Sequence, residues 1–290
     1  MKKVFLYFIY IAAVTIFFIY YLFPSEEVKN YIAFKISNAN PDITVTIDNV
    51  KPVFPPGLGL YAISFFSEGQ VKLIESEQMK ITPGLLSLFR NKKIFSFKGK
   101  SCQGILEGKA SFIKSDTSPK IAAVTAKLSG IRINDIPAVK NLEGYKISGI
   151  LDGDIIYSEN GESDEIANAK LTVSDSAVAF SESDSKKMGL LAPLLKVGEF
   201  KFKTINADMV IDNNRKLQIK GCTIKGEQMN GDISGDIRLK APLKKSVLNL
   251  KATIRPHPTL VATLGKAASF LFKKGSFTFK ISGTFEKPRF

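Results

Sequence analysis

Beyond Pro41 the sequence alternates between apolar and polar residues, a period of two that is typical of β-strands with one buried face. Ile43, Val45 and Ile47 share one side of the first such segment, while threonine and aspartate occupy the other. Parallel strands covered by helices instead contain continuous apolar runs, so the alternation favours an antiparallel sheet with one solvated face. The sequence therefore predicts a mainly β fold in a single domain.

The apolar positions of the later strands form one face of this sheet. They alternate with lysine, aspartate, asparagine and threonine. The candidate residues of this face are Phe200, Phe202, Ile233, Ile237, Leu248, Leu250, Phe277, Phe279 and Ile281. Burying each aromatic side chain would contribute about 2 kcal/mol, so we expect these residues to fill a core. The alternative is an open apolar groove that binds a ligand.

Glycine residues within the strand pattern predict that the sheet is curved. Similar glycine-bounded segments occur at residues 104–108, 149–153 and 231–235, and glycine inside a strand often marks a bulge or a sharp bend. Their spacing is too irregular for a solenoid, so we predict recurrent hairpins. A few short helices are expected to cover the sheet, at residues 83–91, 134–142, 186–195 and 258–272.

Residues 4–23 carry no formal charge, and about twenty apolar residues are enough for an α-helix to cross roughly 30 Å of hydrocarbon. Two tyrosines lie towards each end, where aromatic rings favour the membrane interfaces. A cleaved signal peptide would have a shorter apolar region and small residues at a cleavage site, and the sequence has neither. We predict a retained transmembrane anchor with the anchor residues Val4, Tyr7, Tyr10, Tyr20, Tyr21 and Phe23.

Charges on either side of this span predict its orientation. Two lysines precede the span and two glutamates follow it at once. The positive-inside rule therefore places residues 1–3 in the cytoplasm. Residues 41–290 would then form an exported antiparallel β domain.

Residues 24–40 have the pattern of an amphipathic helix between the anchor and the sheet. Val28, Ile32 and Ile36 recur at four-residue spacing, as on one face of a helix. This stripe could lie on the bilayer or close one end of the sheet, and we expect it to close the sheet.

Residue types that support catalysis are scarce. His257 is the one histidine and lies between two prolines, and a zinc site needs three or four histidine or cysteine ligands. Cys102 and Cys222 are the two cysteines, and they could pair or remain free thiols. Asp152 and Asp154 lie on the solvent face of one strand. We therefore predict no enzymatic activity, no cofactor and no metal.

The chain has a formal net charge of +14, which can attract anionic partners by its long-range field. Most of its basic residues are lysines and they are scattered, whereas recognition of bases and phosphates favours arginine. An exported domain would also not meet chromosomal DNA. The expected partners are therefore anionic lipid head groups or an acidic protein, and not nucleic acid.

The order of several segments resembles the type II secretion system protein N (GspN) family, within the broader AsmA-like group. The segments are FPSE at residues 23–26, VFPPGL at 53–58, LSGI at 128–131, GILDG at 149–153, GDISGDIRL at 231–239 and SGTFEKPRF at 282–290. The resemblance covers almost the whole chain. It implies an accessory, non-enzymatic component of the Gram-negative inner membrane, with one transmembrane helix and a periplasmic β domain. AsmA-like proteins are associated with lipid movement in the cell envelope.

Two functions are compatible with these patterns. In the first, the anchored domain is a periplasmic scaffold that contacts other secretion components. In the second, the apolar sheet face is a groove that binds or transfers lipid. The two differ in whether the phenylalanine-rich face is closed by helices or left open, because a large exposed apolar patch indicates a binding site.

Overall fold

The computed structural model contains one antiparallel sheet of fourteen strands, which follow one another in sequence order. It describes residues 2–39, 43–54, 56–67, 71–114, 120–140, 145–159, 165–180, 198–240, 243–266, 268, 272 and 274–289. The strands are β1 Ile43–Val53, β2 Gly57–Ser67, β3 Lys72–Pro83, β4 Lys92–Ser101, β5 Gly104–Ile113, β6 Lys120–Arg132, β7 Tyr145–Ser158, β8 Glu165–Phe180, β9 Glu199–Asp212, β10 Lys216–Gly226, β11 Met229–Arg238, β12 Val247–Pro256, β13 Phe277–Thr284 and β14 Pro288–Arg289.

Within the described residues, four complete α-helices and three 3₁₀ turns accompany the sheet. The helices are α1 Lys2–Tyr21, α2 Ser25–Ala39, α3 Pro137–Lys140 and α4 Pro258–Leu264. The 3₁₀ turns are Leu85–Phe89, Ile133–Asp135 and Leu243–Lys245. The predicted mainly β fold, an open antiparallel sheet after an N-terminal apolar helix, is confirmed.

The register of the strands shows that one face of the sheet is apolar along its whole length. Directly opposed residues on neighbouring strands share a face. One row of opposed residues is Pro52, Leu58, Ile81, Phe97, Gly108, Ala126, Ile155, Ala169, Met209, Ile219, Gly235, Leu250 and Ile281. Its neighbour is Val50, Leu60, Met79, Gly99, Leu106, Leu128, Gly153, Leu171, Ala207, Cys222, Ile233, Ala252 and Phe279.

Two shorter rows flank these long ones. The first is Pro83, Phe95, Ala110, Val124, Tyr157, Ala167, Ile211, Leu217, Ile237, Leu248 and Gly283. The second is Ile131, Leu151, Val173, Ile205, Ile224, Gly231, Ile254 and Phe277. We call the surface formed by the four rows the apolar face.

The opposite face is polar and carries a row of charges across the middle strands. The row is Lys80, Lys98, Glu107, Lys127, Asp154, Lys170 and Asp208. From Lys98 onwards the sign alternates from strand to strand, and opposite charges on directly paired positions stabilise a sheet. The two faces thus differ sharply in polarity, as the alternation predicts.

Helix α2 covers the first strands on the apolar face. Its stripe of Val28, Ile32 and Ile36 packs against a core cluster that includes Val50 and Leu60, which are 0% and 2% exposed. The stripe therefore lies on the sheet and closes this end of the apolar face. Helix α2 begins at Ser25, one residue after the predicted start at residue 24.

Helix α4 covers the last strands on the same face. Leu260 and Leu264 are buried in a cluster with Phe200 and Phe202 of β9. The sequence predicts a helix over residues 258–272. Helix α4 ends at Leu264, where Gly265 adopts a positive φ of 53°, and Lys266 and Ala268 beyond this break are helical again.

The other predicted helices are short. The prediction over residues 83–91 corresponds to the 3₁₀ turn Leu85–Phe89. The prediction over residues 134–142 corresponds to a 3₁₀ turn followed by α3. The prediction over residues 186–195 lies outside the described residues.

Replacing Gly108 by alanine should lower the free energy of unfolding by about 1–3 kcal/mol, because overpacking forces the backbone to shift. A Cβ atom at this position would lie 2.7 Å from Phe97 Cζ and 2.9 Å from Ala126 Cα, and closer still to the carbonyl oxygen of Thr125. Gly221→Ala is the matched control, because no atom lies within 4 Å of the added Cβ. Urea unfolding of the detergent-solubilised chain measures both. Equal losses would show that the backbones of β5 and β6 do not approach this closely.

Candidate functional site

In the part of the chain that the structure describes, the middle of the apolar face is less covered than its two ends. From β4 to β8 every large apolar side chain of the four rows except Ile131, which is 4% exposed, is only partly buried, whereas α2 and α4 each cover a cluster of buried side chains. The partly buried residues are Phe95, Phe97, Leu106, Val124, Leu128, Leu151, Ile155, Leu171 and Val173. We call this group the open segment.

The open segment is large for an exposed apolar surface. Strands lie about 4.8 Å apart, so β4 to β8 span roughly 20 Å across the sheet. Neighbouring rows on one face lie two residues apart, so the four rows span roughly 20 Å along the strands. A contiguous apolar patch of a few hundred Å² is the size at which soluble proteins bind partners or ligands.

Small residues shape the floor of the open segment. Gly99 faces Leu106, and Gly153 faces both Leu128 and Leu171 across neighbouring strands. A Cβ atom at Gly153 would lie 2.6 Å from Leu171 Cδ2, and one at Gly99 would lie 2.7 Å from the carbonyl oxygen of Gln78. Neighbouring groups therefore already occupy the space at both glycines, which allow the strands and side chains to pack closely.

An apolar pocket of about 130 Å³ continues the apolar face towards α4. It lies where Gly231 lacks a side chain, between Ile224, Ile254 and Phe279. Apolar cavities of about 150 Å³ can hold a molecule the size of benzene. The pocket can thus take a short stretch of hydrocarbon.

Charged groups of the polar face are held in ion pairs. Lys98 Nζ lies 2.9 Å from Glu107 Oε2, and this hydrogen bond, with the charge of Lys98, lowers the pKa of the Glu107 carboxyl. Lys220 Nζ donates to Glu165 at 2.9 Å, and Arg255 pairs with Asp232. The Lys98–Glu107 pair lies on the polar face, directly behind Phe97 and Leu106 of the open segment.

The two cysteines do not pair. Cys102 lies in the turn between β4 and β5, Cys222 lies within β10, and both are free thiols. Cys222 belongs to the apolar face, where burial raises the pKa of its thiol. A raised pKa leaves the thiol protonated and unreactive at neutral pH.

Other polar residues that the sequence singles out have structural partners. Nδ1 of His257 lies 2.8 Å from the carbonyl oxygen of Glu227, to which it donates, and this bond fixes the start of α4. The carboxylate of Asp152 accepts a hydrogen bond of 2.9 Å from the N–H of Gly130. Among the described residues no group of three or more His, Cys, Asp or Glu could hold a metal ion.

All nine candidate residues of the sheet face lie at its α4 end. Phe200, Phe202, Ile237 and Leu248 are buried, and the other five are partly exposed. Phe200 and Phe202 lie in the buried cluster beneath α4, and Ile233, Phe279 and Ile281 line the apolar pocket with Phe202. The open segment consists of residues that the sequence does not single out.

The N-terminal helix has the length and composition of a membrane span. Lys3–Tyr21 has a mean hydropathy of 2.2 and none of it is buried in the protein, although a signal sequence has the same properties. The anchor residues Val4, Tyr7, Tyr10, Tyr20 and Tyr21 are all exposed, at 42–75%. Phe23 instead packs against the cluster beneath α2, so it belongs to the sheet domain.

Comparison with known proteins gives no relative. No protein-family model matches the chain, and no curated protein or solved structure matches it.

Proposed function

We propose that this protein is held in the inner membrane by α1, with its β domain in the periplasm, and that the open segment binds acyl chains of membrane lipids. The observation that supports the proposal is the apolar face, which continues from β1 to β13 while its side chains between β4 and β8, apart from the buried Ile131, remain partly exposed. The binding is not catalytic, and it requires no metal or cofactor.

The chemistry of the open segment suits hydrocarbon better than a polar ligand. Its rows contain aliphatic and aromatic side chains with glycine and alanine, apart from the hydroxyl group of Tyr157. Polar ligands need placed donors and acceptors. Removing apolar surface from water contributes about 25 cal/mol per Å², which an acyl chain provides without directional contacts.

The position of the open segment also favours lipid as the occupant. It begins at β4, directly after the strands that α2 covers, and α2 follows α1 after three residues. The bound acyl chains would therefore come from the membrane that α1 crosses.

Replacing Val124 by aspartate should remove lipid that co-purifies with the full chain. Val124 is partly exposed on the apolar face, so the carboxylate would meet bound hydrocarbon without entering a closed core. Native mass spectrometry after extraction in a mild detergent measures the bound phospholipid. The wild-type chain should carry lipid, and the variant should carry little or none.

Thr125→Asp is the matched control, because Thr125 is the next residue of β6 and is exposed on the polar face. It should retain the wild-type amount of lipid, including any lipid that merely surrounds α1. Circular dichroism checks that both variants keep the sheet. A lipid-free wild-type chain, or equal lipid in both variants, would contradict the proposal.

The scaffold role in type II secretion is a separate proposal, which rests on the resemblance to the protein N family. Its partners would be other envelope components of that system. It does not require an exposed apolar face, so lipid binding at the open segment neither supports nor opposes it.

A further inference from the structure

The 3₁₀ turn Leu85–Phe89 has an inverted pattern of burial. Its sequence is LLSLF, and the serine is the buried residue while the four apolar side chains are exposed. Leu86 and Phe89 are 79% and 92% exposed. A turn on the surface of a water-soluble domain would normally bury its leucines and phenylalanine and expose its serine.

The inversion is built into the turn by hydrogen bonds. The hydroxyl of Ser87 donates to the carbonyl oxygen of Gly84 at 2.6 Å and accepts from the N–H of Ile94 at 2.9 Å. The N–H of Gly84 also donates to the carbonyl oxygen of Ile94 at 2.8 Å. These bonds tie the turn to the start of β4 and hold its apolar side chains outwards.

This turn and the turn between β1 and β2 lie at the same end of their strands. We call this end of the strands, with the turns that it carries, the edge. Strands β1 and β3 run in the same direction, because each is antiparallel to β2. The β1–β2 turn presents Phe54, which is 76% exposed, and Lys80 Nζ of β3 donates to its carbonyl oxygen at 3.1 Å. The edge therefore carries a second exposed aromatic ring beside the turn.

The anchor leaves the sheet towards this edge. Helix α2 ends at Ala39, shortly before β1 begins, and it packs along β1, so helix and strand run in opposite directions. The start of α2 thus points towards the end of β1, where the β1–β2 turn lies. The proposed function, on which this inference rests, has α1 crossing the bilayer. Because α1 immediately precedes α2, that bilayer would lie on this side of the domain.

Charges at this edge suit an anionic surface. Arg90, Lys92 and Lys93 follow the turn directly and are exposed. Farther along the same edge, the described end of β7 carries the exposed Glu159. Basic residues also continue along later strands at this edge, where Arg215, Lys216, Arg238, Lys244 and Lys245 are exposed. The part near the anchor differs in its highly exposed apolar side chains, Phe54, Leu86 and Phe89, which are 76%, 79% and 92% exposed.

We propose that the turn Leu85–Phe89 and Phe54 insert into the outer surface of the same bilayer that α1 crosses, with Arg90, Lys92 and Lys93 on its anionic head groups. Amphipathic segments of this kind bury their apolar side chains about 5–10 Å into the interface. This second contact would fix the orientation of the sheet relative to the membrane. It would also place β4, the start of the open segment, at the lipid surface.

The chain contains no tryptophan, so a single introduced indole reports its own surroundings. Phe89→Trp in the full chain is reconstituted into vesicles of phosphatidylcholine and phosphatidylglycerol, with and without brominated acyl chains. Its emission should shift to the blue and be quenched by the brominated lipid. Phe285→Trp is the matched control: Phe285 is 50% exposed at the same edge but beside β13, far from the anchor. Its emission should stay solvent-like and unquenched.

Quenching at position 89 that does not exceed that at position 285 would overturn the proposal. Reversing the three charges with Arg90→Glu, Lys92→Glu and Lys93→Glu should weaken quenching at position 89 in the mixed vesicles and change it little in pure phosphatidylcholine. Equal quenching with and without the three substitutions would overturn the head-group contact. None of these residues belongs to the open segment, so the result is independent of whether Val124→Asp loses lipid.

Discussion

Replacing Leu260 by alanine is expected to lower the free energy of unfolding by about 2–5 kcal/mol, as for other fully buried leucines. Leu260 is 1% exposed and packs in the cluster of Phe200 and Phe202 that joins α4 to the sheet. The loss combines the transfer of the removed methyl groups with the cavity that remains beneath α4. Denaturant unfolding of the detergent-solubilised chain, followed by the circular dichroism of the sheet, measures it.

The neighbouring residue provides the control for this prediction. Val261 is 41% exposed on the outer side of α4, so Val261→Ala should change the free energy of unfolding by no more than about 0.5 kcal/mol. Similar losses for both substitutions would mean that α4 does not pack its Leu260 side on the apolar face. An unchanged stability for both would mean that this end of the face is not closed.

The fold could be predicted from the sequence because alternation survives in most strands. In β11, β12 and β13 each inward position is apolar and each outward position except Val247 is polar, and neighbouring strands pair without a shift. The candidate face residues come from these strands and from β9. Seven of them belong to the four rows of the apolar face, and Phe200 and Phe202 pack beside these rows beneath α4. The period of two does not show where α4 packs, so the sequence does not reveal that this part of the face is covered.

The open segment could not be found in this way, for two physical reasons. Bulges shift the register between Leu128 and Ile131 and between Ser148 and Ile150, so alternation breaks inside β6 and β7. Small residues such as Gly108 and Ala126 also take inward positions. A hydrophobic pattern does not mark glycine as inward, so these strands look irregular until the pairing is known.

The turn Leu85–Phe89 shows another limit of sequence patterns. The segment predicts a short covering helix, and it does form a helical turn. Four of its five residues are apolar, however, so periodicity cannot tell which side is buried. The hydrogen bonds of Ser87 decide the matter by directing the serine inwards.

Replacing Val50 by aspartate is the second large expected effect, a loss of about 3–5 kcal/mol at neutral pH, because the carboxylate would be buried without a partner. Val50 is 0% exposed in the cluster between α2 and the first strands. The charge would oppose the packing of α2 on β1, and with it the link between the anchor and the apolar face. Denaturant unfolding of the full chain in detergent measures the loss.

Thr46→Asp is the control for Val50→Asp, since Thr46 lies in the same strand and is exposed; it should change stability by no more than about 0.5 kcal/mol. The pH dependence tests the cause. Burial raises the pKa of the new carboxyl in the folded state above its unfolded value of about 3.9, so the folded state binds the proton more strongly. The deficit should therefore be smallest below pH 4 and grow as the pH rises through the folded pKa. A loss of unfolding free energy that does not change with pH would contradict this cause. It would indicate that the shape of the new side chain, and not its charge, disturbs the packing of α2 on the sheet.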